Sequence, residues 1–150
     1  MAPHFPLGGD GYSNDKEATA TCYCGTVQIA FVHCRKITAS MFASNFIVND
    51  SALKHNRGQD KLTEFSQSKT IDTGNTMTNF FCSMCGTLMY RRSTGFPGKS
   101  IPRIGTIDDF NLQETKFKPR VEQFTKDRVS WLKGGEGVEQ AKGNFYDSRK

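Results

Sequence analysis

The chain is 150 residues long, the size of one domain and enough to bury a core without disulfide support. Hydrophobic residues at 36% and charged residues at 23%, with no apolar run near the roughly 18–20 residues of a membrane span, describe a soluble chain and exclude a transmembrane helix. The 20 Lys and Arg exceed the 15 Asp and Glu by five, but they are dispersed and no basic-aromatic repeat accompanies them, so neither nucleic acid nor membrane is an expected partner.

Residues 1–18 mix Pro, Gly, Asp, Ser and Asn without a hydrophobic period and read as a flexible N-terminal arm. They lack the basic and apolar regions of a secretory signal, so a reducing compartment is expected, the cytoplasm first and the nucleus second. From Thr19 to residue 133 the texture is that of one β domain. Val27, Ile29 and Phe31 alternate with Gln28, Ala30 and Val32, a period of two that predicts a strand. Arg35 to Ser44 has the composition of a short helical turn. Further strands are predicted at Met41 to Val48, Lys61 to Phe65, Thr76 to Phe81, Thr87 to Arg91, Ile101 to Ile107, Arg120 to Phe124 and Val129 to Leu132. Turn-formers separate them at Asn56-Arg57-Gly58, Asp72-Thr73-Gly74-Asn75 and Gly95-Phe96-Pro97-Gly98. Asp108-Asp109 suits the opening of a helix, because carboxylates favour a helix N-terminus. Residues 134–150, rich in glycine and scattered charge, read as a peripheral tail. Many short strands imply a mainly-β fold with antiparallel pairing, whose exposed edges leave homodimerisation open.

Four of the five cysteines fall into two close pairs: Cys22-Tyr23-Cys24-Gly25 and Cys82-Ser83-Met84-Cys85-Gly86. Glycine after the last sulfur permits the tight turn that aims backbone amides at thiolates. Two such knuckles together supply four thiolates, a closed tetrahedral shell of the kind zinc accepts in a structural site. Disulfides fit poorly with an odd cysteine count and a pair separated by one residue. A redox Cys-x-x-Cys usually opens a helix, whereas Thr87-Leu88-Met89-Tyr90 continues as strand. Zinc coordination by Cys22, Cys24, Cys82 and Cys85 is therefore the expectation, with folding coupled to metal binding. His55 reads as a loop residue, and His4 falls in the arm.

The ordered set Cys22-x-Cys24-Gly25, His33-Cys34-Arg35-Lys36-Ile37-Thr38-Ala39-Ser40, Phe81-Cys82-x-x-Cys85-Gly86-Thr87-Leu88 and Gly105-Thr106-Ile107-Asp108-Asp109 resembles the glutathione-dependent formaldehyde-activating enzyme family, also called the centromere protein V family. Val129-Ser130-Trp131-Leu132 is similar to that family's late Trp-containing segment. The resemblance implies a β-tent of twisted antiparallel sheets, a structural zinc on the paired cysteines, and carbon–sulfur lyase activity. It also implies a second cysteine group, Cys-His-Cys-x-x-Cys followed by basic residues, that holds a catalytic zinc. Here Cys34 alone stands for that group. If Cys34-Arg35-Lys36 matches its end, the preceding ligand positions hold Ile29 and Phe31, which cannot bind zinc. If His33-Cys34 matches its beginning, the later cysteine is missing; the interval between Gly25 and Cys34 is also short, and Ala39 replaces a frequent glycine.

Two functions follow as expectations. The first is a zinc-dependent lyase acting on a small-molecule thiol adduct such as a glutathione conjugate. Cys34 would be its catalytic group, with Arg35, Lys36, Arg91 and Arg92 as candidates for holding the carboxylates. The second is a noncatalytic zinc-stabilised scaffold that has lost the catalytic centre. A nucleic-acid-binding zinc ribbon is disfavoured, because the knuckle loops lack clustered basic and aromatic side chains.

Overall fold

The computed structural model describes residues 10–14, 17–32, 42, 44–68 and 73–145. His4, His33, Cys34, Arg35 and Lys36 lie outside the described residues, as do most of the helical turn predicted at Arg35 to Ser44 and the start of the strand predicted at Met41.

The fold is mainly β. Strands β1 (Glu17–Thr21), β2 (Gln28–Val32) and β4 (Leu53–Arg57) form a three-stranded antiparallel sheet in the order β1-β2-β4. A second antiparallel sheet contains five strands: β3 (Val48–Asn49), β5 (Leu62–Gln67), β6 (Met77–Cys82), β7 (Leu88–Ser93) and β8 (Lys99–Pro102), in the order β3-β8-β7-β6-β5. A small third pair, β9 (Val121–Glu122) with β10 (Glu139–Gln140), is parallel, where antiparallel pairing was expected throughout. No helix of the described residues is long and apolar enough to cross a membrane.

The strands predicted from alternation at Val27, Lys61, Thr76 and Thr87 are present within a residue or two of their expected bounds. Two others were not read. In β1, Glu-Ala-Thr-Ala-Thr offers no large apolar residue, yet Ala18, Thr19 and Ala20 are fully buried, because small side chains let both faces of the strand be covered. The chain thus enters the sheet at Glu17, within the stretch read as arm, and Tyr12 N–H donates to Thr19 Oγ1 at 2.9 Å. In β4, Leu-Lys-His-Asn-Arg buries only Leu53, so an outer strand carries polar residues that resemble a loop. His55 is consequently a strand residue, with Nε2 3.1 Å from the Tyr90 hydroxyl.

The strand predicted at Ile101 to Ile107 stops at Pro102, which has no N–H to continue the ladder, and residues Ile104–Thr106 form a 3-10 turn. Val129 to Leu132 is not a strand; Leu132 N–H donates to the Val129 carbonyl in a turn, and Trp131 is exposed. Asp109 does open a helix: its side chain accepts from Asn111 N–H at 2.9 Å at the start of α1 (Phe110–Glu114). The core gathers Ile29 from the first sheet with Val27 at its hairpin, Met89 and Phe80 from the second, and Ile104, Ile107 and Phe117 from the segment that follows β8. Phe46 packs on Phe117 with ring centroids 4.7 Å apart.

Asp108 ties this segment to the first sheet. Its carboxylate accepts from Thr19 Oγ1 (2.6 Å), Thr21 Oγ1 (2.7 Å) and Thr21 N–H (3.1 Å), and its own amide donates to the Thr19 carbonyl. The residue after Thr21 is Cys22, so the clamp fixes the stem from which the first knuckle rises.

Candidate metal centre

Each knuckle is the turn of an antiparallel hairpin. Between β1 and β2, Cys22 N–H donates to the Val27 carbonyl at 2.9 Å, and Gly25 N–H returns to the Cys22 carbonyl at 2.9 Å. Between β6 and β7, Cys82 N–H donates to the Thr87 carbonyl at 2.9 Å, and Gly86 N–H to the Cys82 carbonyl at 2.8 Å. Both turns close through a left-handed residue, Gly25 at φ 77° and Gly86 at φ 74°, a conformation a side chain would strain.

The two turns bring Cys22, Cys24, Cys82 and Cys85 together with all four sulfurs within 4.8 Å of one another. Cys22 Sγ is 3.5 Å from Cys24 Sγ, which is 3.8 Å from Cys82 Sγ. A tetrahedral ion with metal–sulfur bonds of about 2.3 Å separates its sulfurs by about 3.8 Å. The four cysteines are free thiols, and the set can hold a metal ion. Cys22 and Cys82, at the strand ends, are buried, Cys85 is half-buried and Cys24 is exposed, so the site sits at the protein's edge with its inner half in the core.

Hydrogen bonds around the sulfurs favour thiolates. Val27 N–H donates to Cys22 Sγ at 3.2 Å. The Thr26 hydroxyl lies 3.1 Å from Cys24 Sγ and lowers the pKa of that thiol. At Cys85 burial raises the pKa, but the Thr87 hydroxyl at 3.2 Å, the Thr87 amide and the groups of Cys24 outweigh it and bring the thiol to about 6. Burial instead pushes Cys22 up to about 12, so that sulfur keeps its proton until a cation replaces it. Four thiolates around a divalent ion would carry a net charge of −2. Arg57 stands near that charge, its Nε donating to the Gly25 carbonyl at 3.0 Å while its guanidinium pairs with Asp10.

All four residues expected as metal ligands therefore meet. Thr26 and Thr87 were not singled out from the sequence, although the repeated Cys-Gly-Thr was visible in both knuckles. Arg91 and Arg92, both candidates for holding the substrate's carboxylates, are divided by strand parity, since neighbours on β7 face opposite sides of the sheet. Arg92 is engaged structurally: Nε donates to Ser100 Oγ at 3.0 Å and lies 3.3 Å from Asp50 Oδ1, while its guanidinium covers the Phe80 and Tyr90 rings. Arg91 points to the other side, and burial lowers its pKa.

Residues 13–127 match the family model described as glutathione-dependent formaldehyde-activating enzyme. A crystal structure of a Rhodobacter sphaeroides protein is similar in fold, with a TM-score of 0.50 at 19% identity, covering 64% of this chain and 93% of that one. No curated protein matches the chain.

Proposed function

Because the chain belongs to the glutathione-dependent formaldehyde-activating enzyme family, we propose that it is a zinc-dependent carbon–sulfur lyase acting on the glutathione adduct of formaldehyde or of another small electrophile. The family match over residues 13–127 carries this reading. In the reaction a carbon–sulfur bond forms between the thiol sulfur and the carbonyl carbon, the carbonyl π electrons become an oxygen lone pair, and the thiol proton ends on that oxygen; the reverse direction breaks the same bond.

Cys22, Cys24, Cys82 and Cys85 would hold the zinc, a choice supported by an all-sulfur donor set at tetrahedral spacing. Sulfur fills every position of such a shell, so its contribution is cross-linking rather than contact with substrate. Cys34, with Arg35 and Lys36 beside it in sequence, is the group proposed to meet the substrate; the adjacent cations favour its thiolate.

One observation favours a second reading, a zinc-stabilised scaffold without turnover. Ile29, at a position where the family's second cysteine group would place a ligand, is fully buried in the core and offers no donor. Metal analysis and a formaldehyde-consumption assay with glutathione separate the two. The lyase reading expects consumption faster than the uncatalysed reaction and at least tenfold slower in Cys34→Ser. One zinc per chain together with no acceleration by the intact protein would leave the scaffold.

A further inference from the structure

The five-stranded sheet carries buried positive charge on the face turned away from Arg92. Arg91 on β7 is registered with Ile101, and the Arg103 amide donates to the Met89 carbonyl at 3.1 Å, so Arg91 and Arg103 occupy neighbouring positions on one face. Asn45 is bridged to Arg103, and its Oδ1 accepts from Arg103 Nη1 at 2.7 Å. That bond fixes the amide orientation and leaves Nδ2 as a donor. Asn45 is fully buried, and neither its Nδ2 nor the buried Arg91 Nε has a hydrogen-bond partner. Among the described residues no carboxylate forms an ion pair with Arg91. Residues 33–43, which lead into Ser44 and Asn45, contain no Asp or Glu.

A half-buried guanidinium with its Nε unpaired is costly, and so is a buried amide donor without an acceptor. Burial and the charge of Arg91 hold Arg103 down to about 9. Arg91 is half-buried, so part of its side chain meets solvent. What Arg91 Nε and Asn45 Nδ2 lack is an acceptor oxygen. A planar carboxylate supplies it, and the guanidinium fork takes the carboxylate through two parallel bonds.

We propose that Asn45, Arg91 and Arg103 form an anion site that receives a carboxylate of the thiol substrate. The substrate part rests on the lyase reading above; the anion site does not.

The test is calorimetric titration of zinc-loaded full-length protein, Arg91→Met and Arg91→Lys, each checked for its circular dichroism, with glutarate, inorganic phosphate, glutathione and glutathione diethyl ester. Glutarate and glutathione should bind the wild type and bind both variants at least tenfold more weakly, while the diester should be indifferent to the Arg91 substitutions. Arg91→Met should also melt higher than the wild type without ligand, because an unopposed, half-buried cation has been removed. Arg91→Lys keeps the charge and loses the fork, so it serves where the Met variant misfolds. Absence of glutarate binding to the wild type, equal glutarate binding in all three proteins, or binding of phosphate in preference to glutarate would overturn the site. Glutarate discrimination without glutathione binding upholds the site and removes glutathione as its ligand.

Discussion

A single hydroxyl joins the two knuckles. Thr87 Oγ1 accepts from Tyr23 N–H at 3.3 Å, which leaves its own proton free to point at Cys85 Sγ, 3.2 Å away. Outer partners of this kind set the basicity and direction of a metal ligand, and losing one typically weakens metal binding about 10–100-fold. Thr87→Val should therefore release metal more readily than the wild type. The sign with pH follows from Cys85, whose pKa is depressed to about 6: its thiolate persists until the pH falls through that value. Without the hydroxyl the thiol returns toward its ordinary range, so release should begin at a higher pH, read with a chromophoric chelator during acidification. Identical release profiles would remove Thr87 from the site. The cysteines were legible in the sequence because knuckle spacing is local. The roles of Thr26 and Thr87 were not, because a hydroxyl finds its partner only after the turn has formed. Arg91 and Arg92 show the same limit: adjacent charge was visible, but only the strand could send one arginine to Asp50 and the other to the opposite face.

At the level of elements, alternation was sufficient where a strand has one apolar row, as in β2, β6 and β7, and insufficient where small or polar residues make the strand. β1 is the instructive case, since its order comes from outside itself. Antiparallel pairing with β2 supplies one edge, and Asp108, 89 residues away from Thr19, supplies three side-chain acceptor contacts along the other. No local pattern in Glu-Ala-Thr-Ala-Thr encodes a distant carboxylate. Asp108→Ala would leave the Thr21 amide and hydroxyl short of an acceptor beside the buried alanines, while the Thr19 hydroxyl keeps the Tyr12 carbonyl at 3.2 Å. Hydrogen bonds to a charged group contribute about 1.5–3 kcal/mol each and are not additive when they share one acceptor, so a loss of about 2–4 kcal/mol is expected. Denaturant unfolding of metal-loaded protein measures it. A change below about 0.5 kcal/mol, the range of an ordinary surface substitution, would mean that β1 holds without the clamp.

For the molecule as a whole, the two cysteine pairs belong to different sheets: Cys22 and Cys24 to the three-stranded one, Cys82 and Cys85 to the five-stranded one. A shared ion is therefore a cross-link between sheets as well as a clasp on two turns. Cys24 and Cys82 are 58 residues apart, and closing a loop of that length removes about 4 kcal/mol of unfolded-chain entropy at room temperature. A structural zinc site binds with about 10–16 kcal/mol near neutral pH, against a total stability of about 5–15 kcal/mol for a domain. Removal of such an ion would cancel most or all of the folding free energy, and it would return buried Cys22 to a protonated thiol among three other sulfurs. Chelation followed by verified metal loss should abolish the cooperative thermal transition and the β-type circular dichroism, and re-addition of zinc should restore both. Cys22→Ser/Cys82→Ser, which removes one buried ligand from each sheet, should reproduce the chelated state without any chelator. A metal-free chain that melts within a few degrees of the loaded one would place its stability in the apolar core alone and reduce the four sulfurs to passengers on two well-formed turns.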